Sequence, residues 1–217
     1  MQLEVSDLSV ARGGLVVLEG LNFSLAPGRA LVLRGANGIG KTTLLRTIAG
    51  LQPAVAGEIS APPETLAYAS HADGLKAALS ARENLQFWAA IYGFGAERVE
   101  TALAALQLSA LASRRAAHLS AGQKRRLGLA RMLVTGRPVW LFDEPTVSLD
   151  AAAVALFADV LRGHFASGGS ALIATHIELG LPEAESLDLT PWRAARGPEA
   201  RGQAGAAAFD PFAEPLS

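Results

Sequence analysis

Residues 35–43 read GANGIGKTT, with Gly35, Gly40, Lys41 and Thr42 in the spacing G-x-x-x-x-G-K-[ST], between a short apolar run and a helix-like run. This constrains the fold more than any other feature, because a strand has to deliver such a loop and a helix has to receive it. Residues 30–33 are apolar throughout; beyond the loop, Leu44, Leu45 and Ile48 recur at helical spacing and Gly50 follows as a C-terminal cap. Phosphates need a concave row of backbone N–H donors, here from Gly35, Ala36, Asn37, Gly38, Ile39, Gly40, Lys41, Thr42 and Thr43. A Cβ at Gly38 or Gly40 is expected to obstruct the backbone from closing around them. The helix N-terminus adds partial positive charge. Lys41 is expected to reach the β- and γ-phosphates, and the Thr42 hydroxyl to bind Mg²⁺ directly. Alone, this loop leaves kinases, GTPases and many other phosphate-binding-loop proteins open.

A second signal lies at residues 139–144, where four apolar residues run into Asp143 and Glu144. It reads as a buried parallel strand ending at the carboxyl edge of a sheet, where ligands collect. Asp143 is expected to hold Mg²⁺ through water, and Glu144 to polarise the water that attacks the γ-phosphate. Standing alone, the pair would read as a solvated acidic turn. LSAGQ at residues 119–123 and ATH at residues 174–176 complete four nucleotide-handling signals in one order, which predicts ATP binding and hydrolysis.

These residues resemble the ATP-binding subunits of ATP-binding-cassette (ABC) proteins over about residues 3–189. The resemblance implies an α/β phosphate-binding-loop core with a mainly parallel sheet, an N-terminal antiparallel β subdomain and a small α-helical subdomain. LSAGQKRR is similar to the family signature usually written LSGGQ, with Ala121 at the first glycine position. The resemblance implies that Leu119, Ser120, Ala121, Gly122 and Gln123 close over the ATP of a second subunit. Ser120, the Gly122 backbone and the following helix N-terminus then act on the γ-phosphate in trans, so that one copy holds no complete site. Asp150 matches the loop that crosses the dimer seam and couples the two sites. His176 matches the switch histidine that contacts the γ-phosphate and helps orient Glu144 and water.

Two positions depart from the common family pattern. Where many members carry an aromatic that stacks on adenine, the sequence is Ala11-Arg12-Gly13-Gly14; Arg12 either stacks its guanidinium on the base or faces solvent as a turn residue. Where the family usually has a glutamine that reports nucleotide state to the transport subunits, this chain has His71, either a coupling residue or a surface turn histidine.

Among 217 residues, nineteen Lys or Arg and twenty Asp or Glu are scattered without a long run of either sign, which argues against a nucleic-acid surface. The basic cluster at residues 124–126 is assigned to the helix behind the signature. Without cysteine, the chain has no disulfides, iron–sulfur clusters or thiolate zinc sites. Leu3 and Val5 alternate with Gln2 and Glu4 as in a half-buried strand, and with no basic or apolar leader pattern there, no secretion signal is expected. No run of about 18 apolar residues is present, so any membrane span is expected from partner chains.

Residues 77–130 change to a helical pattern. Ser80 to Glu83 matches a capping box, followed by Leu85, Trp88, Ala89 and Tyr92 at helical spacing; Val99, Leu103 and Leu106 resume the pattern after Gly93 and Gly95. In ABC transporters such a subdomain grips the coupling helix of the membrane subunit. Phe87, Trp88 and Tyr92 belong either to that groove or to the core. The chain thus reads as one ATP-binding domain over residues 1–190, followed by a flexible Ala-, Gly-, Arg- and Pro-rich tail at 191–217. Its FDPF stretch at 209–212 is either a docking peptide or incidental.

Small size, GANGIGKTTLLR, LSAGQKRR and HADGLKAALSARENLQFW, with His71 in place of glutamine, resemble the cytochrome c biogenesis group, the haem exporter ATPases. This resemblance implies a peripheral subunit on the cytoplasmic face of the bacterial inner membrane. Its expected partners are a second copy of itself head to tail, integral-membrane permease subunits and, indirectly, a membrane-bound haem chaperone, with no nucleic acid. ATP use would then drive haem export or release of the loaded chaperone. Alternatives are the ATPase of another small ABC transporter, a soluble ABC ATPase, and a regulator that hydrolyses little.

Overall fold

The computed structural model describes residues 2–195. Strand β1 (Leu3–Arg12) turns into β2 (Leu15–Leu25), and the two pair antiparallel with Leu3 opposite Leu25. Strand β4 (Ala56–Ile59) pairs antiparallel along the other edge of β1, closing a three-stranded sheet. Leu3 and Val5 face the core at the expected period of two, but the next core residues are Leu8 and Val10. A register shift between Val5 and Leu8 moves the buried face by one residue, which is what a bulge does.

The second sheet has five parallel strands in the order β5 (Leu66–Ala69), β6 (Val139–Asp143), β7 (Ser170–Ala174), β3 (Ala30–Arg34) and β8 (Glu185–Asp188). Every residue of β6 and β7 is buried, as a parallel strand covered on both faces requires. Alternation along these strands sorts neighbours into different cores. Leu141 and Leu172 pack with Leu44 and Leu45 of α1 (Lys41–Ile48) and with Leu18 and Leu21 of β2. Trp140, Phe142 and Ile173 instead join the cluster of α2 (Ala81–Ile91), α3 (Ala96–Ala105), α4 (Ala121–Thr135) and α5 (Ala151–Ala166). The Phe142 ring meets Phe157 of α5 edge-on at 5.1 Å. Burying a side chain of that size contributes roughly 1.5–3 kcal/mol.

Helices α2, α3 and α4 pack on one another through Leu85, Val99, Leu103 and Leu127. The capping box at α2 is formed: Ser80 Oγ accepts the Glu83 N–H at 3.2 Å, and Glu83 Oε2 accepts the Ser80 N–H at 2.7 Å. Helix α4 continues past residue 130, because Met132 and Val134 keep a buried face, and stops where Gly136 turns left-handed.

The chain after β8 departs from the expected tail at its start. Residues 191–195 lie against β2: Arg193 bridges Leu18, and the Ala194 N–H donates to the Val17 carbonyl at 3.1 Å. The partly buried Trp192 anchors this return to the core beneath the antiparallel sheet. Residues 196–217, including 209–212, lie outside the described residues. Among the described residues, no helix is long and apolar enough to cross a membrane.

Candidate nucleotide site

Parallel register brings the candidate residues together. Leu33 of β3 and Asp143 of β6 both align with Ala174 of β7, while Ala69 of β5 aligns with Phe142. Four adjacent strands therefore end at one edge of the sheet. From that edge leave the glycine loop, the Asp143–Glu144 pair, His176 and the segment containing His71, the usual location of a ligand in an open α/β sheet.

A cleft of about 260 Å³ opens there, lined by Asn37, Gly38, Gly40, Lys41, Thr42 and Thr43 on one side and by Asp143, Glu144 and His176 on the other. Gly35, Ala36 and Ile39 shape the loop from behind, Ile39 being buried in the core. Gly40 carries φ 119°, and a Cβ there would sit 3.1 Å from Leu18 and Val17 side-chain atoms, so both backbone and packing require glycine. At Gly38 the backbone itself is a reason for glycine. A Cβ would meet no protein atom within 4 Å, and it is the φ of 79° that favours glycine.

Lys41 is almost wholly buried, and its Nζ donates to the carbonyls of Gly35 at 2.8 Å and Ala36 at 3.3 Å. Burial pulls its pKa below the usual lysine value, while the charges of Glu144 and Asp143 oppose that fall. Thr42 Oγ1 donates to Asp143 Oδ1 at 3.1 Å, and the Tyr68 hydroxyl to Asp143 Oδ2 at 3.4 Å. Burial and the Asp143 charge push the Tyr68 hydroxyl well above its ordinary pKa, which keeps it a neutral donor. Thr42 and Asp143 present hard oxygens side by side, a donor set that fits Mg²⁺ once phosphate and water oxygens complete the shell.

Glu144 follows β6 with φ 49°, a left-handed conformation uncommon outside glycine. Its N–H donates to the Ala174 carbonyl at 2.8 Å, and its Oε1 lies 3.4 Å from His176 Nε2. The turn that carries His176 is held in turn by Arg34, which donates to the Thr175 carbonyl at 3.0 Å.

Arg12 lines the cleft beside Val17, at the hairpin end of the antiparallel sheet. His71 is exposed and its side chain does not line the cleft; its carbonyl accepts from Arg125 Nη1 at 3.2 Å. Arg125 is a functional candidate that the basic cluster at residues 124–126 does not single out from its neighbours on α4. It is buried, on one stripe with Gly128, Leu129 and Met132 at i, i+3, i+4 and i+7. That periodicity was the available signal.

The signature residues lie elsewhere. Ser120, Gly122 and Gln123 share a separate cleft of about 320 Å³ with Ser148, Leu149 and Asp150, and no residue lines both this cleft and the Lys41 cleft. Ser120 caps α4: its Oγ accepts the Gln123 N–H at 3.2 Å, and Gln123 Oε1 accepts the Ser120 N–H at 2.9 Å. Leu119 is buried beneath this cap and Ala121 is exposed. A Cβ at Gly122 would come within 3.1 Å of the Ser148 carbonyl. Asp150 caps α5 by accepting the Ala153 N–H at 2.8 Å, a structural role the sequence reading did not assign.

Two further hollows share no residue with the Lys41 cleft. Leu51, Leu66, Tyr68, Trp88, Tyr92 and Arg131 line a surface groove of about 240 Å³ between α1 and the helical section, with Trp88 and Tyr92 stacked at 6.5 Å and the Arg131 guanidinium 4.8 Å above Trp88. Phe87 is exposed outside this groove. A larger cavity, about 570 Å³, lies among α3, α4 and α5 near the amino ends of β6 and β7.

Residues 18–147 match the ABC transporter family. Over 204 residues, 94% of each chain, the sequence is 70% identical to the cytochrome c biogenesis ATP-binding export protein CcmA of Rhodobacter capsulatus. Over 208 residues, 96% of this chain and 97% of the other, it is 63% identical to the protein of the same name from Paracoccus denitrificans. The fold superposes with a TM-score of 0.80 on a solved ATP-binding subunit of an ABC transporter, at 27% identity, covering 87% of this chain and 86% of that one.

Proposed function

Because the chain belongs to the ABC transporter family, within its cytochrome c biogenesis ATP-binding group, we propose that it is the ATP-hydrolysing subunit of a transporter for haem or for release of a haem-loaded chaperone. The observation that carries the mechanistic reading is the convergence of Lys41, Thr42, Asp143, Glu144 and His176 on one cleft at the carboxyl edge of the parallel sheet.

In this reading the glycine loop and the N-terminus of α1 cradle the phosphates, and Lys41 exchanges its two carbonyl partners for β- and γ-phosphate oxygens. Thr42 and Asp143 would hold Mg²⁺, which would supply neutralisation of phosphate charge. Glu144 accepts a proton from the attacking water, and His176 holds the Glu144 carboxylate and contacts the γ-phosphate. Arg12 and Val17 border the region left for the base.

The separation of the signature cleft from the Lys41 cleft supports a site completed in trans by a second copy, with Ser120, Gly122 and the start of α4 facing the γ-phosphate of the partner. Asp150 and its loop would meet at that seam. The groove of Trp88, Tyr92 and Arg131 suits an apolar helix from an integral-membrane partner, with the His71 segment alongside. Hydrolysis then serves a cycle of closing and reopening at the cytoplasmic face of the inner membrane.

The test is affinity purification of tagged Glu144→Gln protein from native membranes with MgATP. Recovery of membrane proteins of cytochrome c biogenesis together with haem or a haem-binding chaperone is the expected result. A different permease would refute the haem assignment and leave the ATPase mechanism standing; a soluble partner would overturn the transporter reading.

A further inference from the structure

The Arg125 side chain is almost completely buried in the first turns of α4, and its two edges serve two different loops. Nε donates to the Pro145 carbonyl at 2.8 Å, and Nη2 to the carbonyls of Glu144 at 2.6 Å and Asp143 at 3.4 Å. On the other edge, Nη1 donates to the carbonyls of Ser70 at 3.0 Å and His71 at 3.2 Å and to Asp73 Oδ1 at 3.1 Å. A planar guanidinium can aim at both sides at once; a lysine ammonium, a single point with three donors, cannot span them.

An apolar residue at this stripe position would avoid desolvating a charge. What the guanidinium adds is directional bonding to the backbone on which Glu144 stands. Glu144 is in a left-handed conformation, which a non-glycine residue keeps only where its surroundings hold it. Its N–H is tied to β7 and its carbonyl to Arg125. The 70–73 loop is pressed onto the same helix: a Cβ at Gly128, one turn beyond Arg125, would lie 3.2 Å from Asp73.

We infer that Arg125 is a positioning residue for hydrolysis, which locks the Glu144 main chain and the 70–73 loop to the helix that carries the signature. The carboxylate is aimed at the attacking water only while these three segments stay in register. A displacement of α4, whether from a second copy closing on Ser120 or from a membrane partner moving the helical section, is thereby felt at Glu144. The inference rests on the reading of Glu144 as the water-activating group.

The experiment compares Arg125→Lys, Glu144→Gln and the double variant in the full-length chain, reading kcat and KM for MgATP, the Kd of a fluorescent ATP analogue and the thermal midpoint. Arg125→Lys is expected to lower kcat on the order of tenfold or more, since small misplacements of catalytic groups have effects of that size, with Kd changed less than about twofold. In the Glu144→Gln background it should cost almost nothing further, because both residues act through one group. Wild-type kcat in Arg125→Lys, or a full multiplicative loss in the double variant, overturns the inference. Gly128→Ala tests the same clamp from the other side, leaving the Arg125 side chain in place while the added Cβ pushes Asp73 away from α4, so lowered kcat with the Kd of the ATP analogue changed less than about twofold is expected. Wild-type kcat there counts against the clamp even if Arg125→Lys does not fold. Retained hydrolysis in Glu144→Gln alone would overturn the site reading and the inference together.

Discussion

His176 Nε2 lies 3.4 Å from Glu144 Oε1, although the two residues leave different strands and are far apart in the chain. The contact exists because β6 and β7 are parallel neighbours in register, Asp143 beside Ala174. Glu144→Gln keeps the shape and removes the carboxylate proposed as the base. It should lower the single-turnover rate roughly 10²-fold or more while MgATP binding persists. His176→Ala should lower kcat with a smaller change in KM, since in the proposed mechanism it removes the group that orients the carboxylate.

Lys41 Nζ is occupied by the Gly35 and Ala36 carbonyls, and Thr42 Oγ1 by Asp143. Lys41→Ala should weaken ATP binding by about 1.5–3 kcal/mol, the worth of a hydrogen bond to a charged group, measurable by titration with a fluorescent analogue. Thr42→Val should instead make that affinity insensitive to Mg²⁺ over the range in which the wild type responds.

If the signature acts across a dimer, Lys41→Ala and Ser120→Ala subunits should each be poorly active alone and recover hydrolysis when mixed. In the mixed pair one site carries both defects and the other carries neither. Failure of the mixture to exceed either variant would place the signature in the same chain as the phosphates. Ser120→Ala should also lose about 1 kcal/mol of stability, because its Oγ caps α4.

Phe142 is fully buried against Phe157 on the face of the sheet opposite α1. Phe142→Ala should destabilise the protein by about 3–5 kcal/mol in urea unfolding.

His164 stacks on Trp140 with ring centroids 3.6 Å apart, and burial drives its pKa below the usual 6.5. Above about pH 6.5 it is neutral in both folded and unfolded chains and contributes no pH dependence. Below that value the unfolded chain takes up a proton that the folded chain resists, so stability falls as pH drops from about 6.5 toward the folded pKa. Urea midpoints measured between pH 7.5 and 5.5 should decline, and His164→Gln should flatten the slope while lowering the midpoint throughout.

The short-range part of this architecture was legible in the residues. The glycine loop, its strand and helix, the apolar run into Asp143 and the capping box at Ser80 are all set by dihedral preferences, hydrophobic period and capping within a few residues. The antiparallel sheet was legible from family resemblance and the alternation at Leu3 and Val5, but not the shift before Leu8. The bulge depends on pairing with two other strands.

Sequence by itself determined the family to which the chain belongs, because Lys41, Thr42, Asp143, Glu144 and His176 each sit in a local pattern that resembles a phosphate-handling motif. Tertiary structure decided the rest. Sheet order brought residues from the ends of β3, β6 and β7 to one cleft, helix packing buried Arg125 under two loops, and the signature came to line a cleft separate from that of the phosphate loop of its own chain. The physical reason is range: a motif records what neighbours along the backbone impose. Which distant segments meet depends on the combined burial of both faces of the sheet, and no single segment encodes that.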